Sequence, residues 1–94
     1  MIRILIVDDD VEFLKNVSEL LTLYDFKVCT ANSVAQGKKL AAANQYDVYL
    51  LDLILEDGSG LQLLEVCSHS GSSPKTAIIT GHPVIKSMVS NLYG

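Results

Sequence analysis

The run Ile2–Val7, IRILIV, is β-branched and apolar almost throughout, and it stops abruptly at Asp8, Asp9 and Asp10. A strand with no polar side has no solvent face. It must lie inside a sheet covered on both sides, which is the setting of parallel α/β architectures and not of half-exposed antiparallel sheets. A strand that closes on acidic residues also delivers carboxylates to one end of that sheet.

The rest of the chain alternates in the same sense. Val11, Leu14, Val17 (or Ser18) and Leu21 recur at helical spacing with Phe13 and Leu20 beside them, which predicts a helix capped by Asp9 or Asp10. Lys27–Ala31 (KVCTA) reads as a second strand. Ser33 and Gln36 form a capping box that opens a second helix running to Asn44. Gly37 lowers the propensity of that helix, so a close contact with the sheet is expected there. Asp47–Leu51 (DVYLL) is a third strand ending at Asp52. Glu56-Asp57-Gly58-Ser59-Gly60 reads as a plain turn in which glycine supplies positive φ, followed by a helix over Leu61–Ser68. A polar loop, His69–Pro74, precedes a fourth strand, Thr76–Ile79, which ends at Thr80. Pro83 suits the first turn of a last helix with the stripe Ile85, Met88, Val89 and Leu92. Strands alternating with helices over short connections predict an α/β fold of four right-handed βα units.

Composition narrows the class. At 94 residues, 49% hydrophobic and 19% charged, the chain is expected to form one packed domain. Seven Lys+Arg against 11 Asp+Glu give a net charge of −4, and no basic stripe is available for nucleic acid or anionic lipid. No apolar run approaches the ~18–20 residues of a membrane span, and the first residues do not have the pattern of a secretory leader. A cytoplasmic location is expected. Cys29 and Cys67 lie in apolar-periodic segments without any CxxC, which predicts buried thiols and neither a disulfide nor a metal site.

The acidic residues carry the chemistry. In open α/β sheets ligands bind at the carboxyl ends of the strands, near the point where strand order reverses. Asp8, Asp9 and Asp52 stand at the ends of strands one and three, and Thr80 at the end of strand four. If strands one and three are neighbours, three carboxylates converge, and their mutual repulsion favours a cation between them. A hard divalent ion such as Mg²⁺ suits oxygen ligands, and a carboxylate beside it can act as nucleophile toward a phosphoryl group. The Thr80 hydroxyl could then donate to a phosphoryl oxygen.

ILIVDDD, VYLLDLILEDGSGLQLLE and KTAIITG occur in order and together resemble the receiver domain of two-component response regulators, across residues 1–94. The resemblance implies a three-layer, flavodoxin-like parallel sheet of order 2-1-3-4. The fifth βα unit of such domains, with its phosphate-binding lysine, falls outside these residues, and neither Lys75 nor Lys86 stands at its position. It further implies Asp52 as phosphoacceptor, Asp9 as a direct Mg²⁺ ligand and Asp8 as a helper, through water. The backbone carbonyl of Ile54 would be another ligand, and Thr80 the switch hydroxyl. The implied partner is a sensor histidine kinase or a phosphotransfer protein, and the implied output is altered partner binding. The uncovered edge of the fourth strand is expected to favour self-association.

Two other readings compete. A haloacid-dehalogenase-like phosphohydrolase would use Asp8 as nucleophile and Asp10 as general acid, with the AIIT run ending at Thr80 as its second motif. Against it, Asp52 is left without a role. A degenerate receiver-like interaction module would keep the fold without the phosphoryl chemistry. Asp52→Asn distinguishes them.

Overall fold

In the computed structural model, which describes residues 1–63 and the backbone of 75–79, the first apolar run becomes β1 (Arg3–Val7). It pairs in parallel with β2 (Lys27–Ala31) on one side and with β3 (Val48–Asp52) on the other. Strand β4 (Lys75–Ile79) adds in parallel to β3, so the order is β2-β1-β3-β4, as expected. Successive side chains of β1 point to opposite layers. Ile4 and Ile6 pack with Phe13, Leu14 and Val17 of α1 (Val11–Leu23). Leu5 and Val7 pack on the other face with Val34 and Ala41 of α2 (Val34–Ala43), and with Leu51 and Leu63. Leu5, Ile6 and Val7 are all 0% exposed. Burial on that scale stabilises by roughly 1.5–3 kcal/mol per side chain and accounts for an unbroken apolar strand at the centre of the sheet.

The helix ends are set locally. Asp10 is the N-cap of α1, its Oδ1 accepting from the Phe13 N–H at 3.0 Å. At the other end the Phe26 N–H donates to the Leu21 carbonyl (3.2 Å) and the Asp25 N–H to the Thr22 carbonyl (3.1 Å). This is a Schellman ending, with Asp25 in the left-handed region at φ 66°. In α2, Ser33 Oγ accepts from the Gln36 N–H (3.1 Å), while Gln36 Oε1 reaches the Asn32 N–H (3.0 Å), one residue before the cap. A Cβ on Gly37 would lie 3.2 Å from Val7 Cγ2 and 3.0 Å from Leu63 Cδ1, which is the close approach to the sheet that the sequence predicts.

Some expectations need correction. Val11 is 64% exposed and does not join the buried stripe of α1, because at the first helical position it stands beyond the end of the sheet. Cys29 is half-buried, because β2 is an outer strand of the sheet. Strand β3 starts at Val48 and includes Asp52, while Asp47 turns its carboxylate to the Arg3 N–H (2.8 Å). Strand β4 starts one residue early, at Lys75. A 3-10 helix, Gly60–Leu63, occupies the start of the helix expected from Leu61. The remainder of that helix, Cys67, the 69–74 loop, Thr80, His82, Lys86 and the last helix lie outside the described residues. Among the described residues no helix is long and apolar enough to cross a membrane.

Candidate functional site

Because β1 and β3 are neighbours and Val7 pairs with Leu51, Asp8 and Asp52 leave the sheet side by side. Asp8 is 0% and Asp52 1% exposed, whereas Asp9 faces solvent. One carboxylate oxygen from each of Asp8, Asp9 and Asp52 lies within 4.8 Å of the others. The two buried carboxylates are oriented alike, each by the amide two residues on. Asp8 Oδ1 accepts from the Asp10 N–H (2.9 Å), and Asp52 Oδ1 from the Ile54 N–H (3.1 Å). The Asp8 N–H in turn donates to the Ala31 carbonyl at 3.0 Å, tying the β1 end to β2.

Three negative charges at this spacing repel. At an effective dielectric of about 20, two unit charges 4.8 Å apart oppose each other by about 3 kcal/mol, a repulsion that a cation among them would relieve. The donors are all hard oxygens. Three oxygen donors this close together are of the kind that a hard divalent cation takes. Asp10 is not part of this cluster, since its side chain caps α1. Two apolar residues near the cluster in sequence are exposed, Val11 after Asp10 (64%) and Ile54 two residues past Asp52 (74%).

The segment after Asp52 is more structured than a plain turn. The Leu55 N–H donates to the Gly58 carbonyl (2.9 Å) and the Gly58 N–H returns to the Leu55 carbonyl (3.3 Å), with Gly58 at φ 150°. Gly60 packs directly on the Asp52 main chain: a Cβ there would collide with the Asp52 carbonyl oxygen and sit 3.0 Å from Leu51 Cβ. Asp57, read from sequence only as part of the turn, reaches back to α2. Its Oδ1 accepts from the Val34 N–H (2.8 Å) and its Oδ2 from the Ala35 N–H (3.1 Å). Those two bonds hold its carboxyl below the ordinary carboxylate value. Its neighbours in sequence carry no sign of this, because the partners lie 23 and 22 residues upstream.

A parallel sheet with an acidic cluster at its carboxyl edge, where strand order reverses, has the arrangement of an α/β domain that binds its ligand at that edge. The comparisons agree. The response regulator receiver domain family matches residues 4–93, and the chain belongs to that family. Relatives include the photosynthetic apparatus regulatory protein RegA of Cereibacter sphaeroides, 37% identical over 86 residues, covering 92% of this chain and 47% of that protein. The swarming motility regulation protein RssB of Serratia marcescens is 33% identical over 90 residues, covering 96% and 41%. The chain thus spans less than half the length of these relatives. A CheY-like receiver domain protein from Methanospirillum hungatei superposes with a TM-score of 0.80 at 28% identity, over 100% of this chain and 76% of that one. The response regulator TrrA of Thermotoga maritima, solved with Mg²⁺-BeF, gives 0.77 at 24% identity, over 100% and 82%. The family match favours the receiver reading over the phosphohydrolase one, whose Asp10 caps α1 through one carboxylate oxygen.

Proposed function

We propose that this receiver domain accepts a phosphoryl group on Asp52 from a phosphohistidine of a sensor kinase or phosphotransfer protein, and thereby changes which partners it binds. The observation that carries the reading is the convergence of Asp8, Asp9 and Asp52, with Asp52 buried and one of its oxygens oriented by the Ile54 N–H. In the transfer, an Asp52 carboxylate oxygen attacks phosphorus as the bond to the histidine nitrogen breaks. The imidazole leaves with that electron pair, and the product is an acyl phosphate on Asp52. Asp9, Asp52 and the Ile54 backbone carbonyl would hold Mg²⁺ directly, and Asp8 would hold it through water. Mg²⁺, when bound, offsets the charge that carboxylates and phosphoryl oxygens bring together. The Mg²⁺-BeF complex of the fold neighbour TrrA supports this choice of ion. Thr80, outside the described residues, is assigned by family resemblance to donate its hydroxyl to the phosphoryl group. The proposed unit is the receiver domain over 1–94, acting in the cytoplasm.

The test is incubation with acetyl phosphate, with and without Mg²⁺, followed by intact mass of the wild type and Asp52→Asn. A Mg²⁺-dependent phosphoryl adduct that is absent from the variant is expected. An adduct that persists in the variant would move the nucleophile elsewhere, Asp8 being next. No adduct in the wild type would refute the phosphoryl chemistry and leave an interaction module.

A further inference from the structure

Asp57 stands outside the acidic cluster, yet its hydrogen bonds lead back to that cluster through the backbone. The route begins at α2. The N–H groups at the start of a helix have no partner within the helix. Ser33 Oγ takes that of Gln36, and the two oxygens of Asp57 take those of Val34 and Ala35, so the carboxylate of one loop completes the cap of a helix from another layer. Asp57 is bonded through the main chain to Gly58, and the Gly58 carbonyl accepts the Leu55 N–H at 2.9 Å. The Leu55 N–H and the Ile54 carbonyl belong to one planar trans peptide, so whatever aims the first aims the second in the opposite direction. Leu55 is buried and Gly60 rests on the Asp52 main chain, which pins the two feet of the loop. The Ile54 side chain is 74% exposed and contributes little packing of its own to hold that peptide.

We infer that Asp57 is a positioning residue for the metal site: by clamping the loop tip to the N-terminus of α2 it fixes the direction of the Ile54 carbonyl. The inference rests on the proposed role of that carbonyl as a Mg²⁺ ligand. Groups that orient a ligand commonly change metal affinity by about 10–100-fold when removed. Asp57 acts through one turn of backbone, so the lower end, about tenfold, is expected.

The experiment compares the wild type, Asp57→Ala, Asp57→Asn, Ser33→Ala and Asp9→Asn as full chains. Mg²⁺ affinity is measured by titration calorimetry and Leu55 amide exchange by NMR. Ser33→Ala weakens the same helix cap without touching the loop, so it separates positioning from helix stability. Asp57→Ala is expected to weaken Mg²⁺ binding about tenfold and to speed Leu55 exchange, while Ser33→Ala leaves both near wild type. Asp57→Asn, which keeps one acceptor oxygen, is expected to fall between and guards against a failure of Asp57→Ala to fold. Equal Mg²⁺ affinity in wild type and both Asp57 variants would overturn the inference while leaving the metal site intact. Equal losses in Asp57→Ala and Ser33→Ala would also overturn it, by reducing Asp57 to a helix cap. Absence of Mg²⁺ binding in the wild type, or binding indifferent to Asp9→Asn, would overturn the metal reading itself and the role of Asp57 with it.

Discussion

Gly60→Ala reaches Asp52, the proposed acceptor, without altering any acidic residue. The added methyl would collide with the Asp52 carbonyl oxygen and stand 3.0 Å from both the Asp52 carbonyl carbon and Leu51 Cβ. Two of these three contacts are main-chain atoms of β3, which is paired on both sides, so they cannot rotate away. Overpacking against an unyielding neighbour costs about 1–3 kcal/mol. Replacing glycine also restricts the unfolded chain, a gain of about 0.4–1 kcal/mol. The balance is a loss of about 1.3 kcal/mol, or about 5–10 °C in Tm for a domain of this size. Gly37→Ala is the matched control. Its new methyl would meet only side-chain atoms, Leu63 Cδ1 at 3.0 Å and Val7 Cγ2 at 3.2 Å, which can give way. Its helix interior also gains about 1 kcal/mol from alanine. The two effects nearly cancel.

The assay is thermal unfolding of both variants together with the acetyl phosphate adduct. Gly60→Ala should lose Tm and adduct yield together, because the methyl displaces the peptide that carries Asp52. Gly37→Ala should stay within a few degrees of wild type and keep its yield. If Gly60→Ala matched Gly37→Ala in both readouts, Gly60 would not be what seats Asp52, the proposed acceptor.

Two other outcomes follow from single residues. Asp25→Gly should stabilise by about 0.5–1 kcal/mol in urea unfolding, because φ 66° strains any side chain and glycine is at ease there. A loss of stability would mean the Asp25 side chain makes a compensating contact. Tyr46 is 4% exposed, and burial, followed by the adjacent Cys29, pushes its hydroxyl up to about 12. The neutral form is therefore favoured in the fold: its contribution is complete below about pH 10, where the unfolded phenol ionises, and is lost as pH rises toward 12. Tyr46→Phe should flatten that alkaline loss, worth about 2–3 kcal/mol, and an unchanged alkaline limb would contradict the assignment.

How much of this was legible in the sequence depends on how far the cause lay from the residue. The two-faced burial of β1 could be read from IRILIV because apolarity at every position has one geometric meaning. Asp10 as a cap and Ser33 as a cap were legible for the same reason, since their partners are three residues away. Val11 was misplaced because periodicity gives the angle of a residue around a helix and not its height above the sheet. The half-burial of Cys29 follows from β2 being an outer strand, a fact of sheet order that no local pattern carries. The Asp25 turn offered no glycine to mark it. The clamp of Asp57 onto α2 had the weakest signal of all, because D-G in a loop is the ordinary composition of a turn.

The same division explains why the acidic site was found and its support was not. Carboxylates at strand ends are visible because a buried strand has only two ends, and the fold class says which one faces a ligand. Bringing Asp8 level with Asp52 then needs only that β1 and β3 be adjacent, with Val7 opposite Leu51. The side-by-side burial of two carboxylates is unfavourable for the fold taken alone. Short-range main-chain bonds, from the Asp10 N–H to Asp8 and from the Ile54 N–H to Asp52, orient one oxygen of each group. Carboxylates brought this close favour a positively charged ligand among them. Under the proposed function that ligand is the cation, which would also offset the negative charge a phosphoryl group brings, and the loop that carries Asp57 and Gly60 is tied to α2 by the one and seated on the Asp52 main chain by the other.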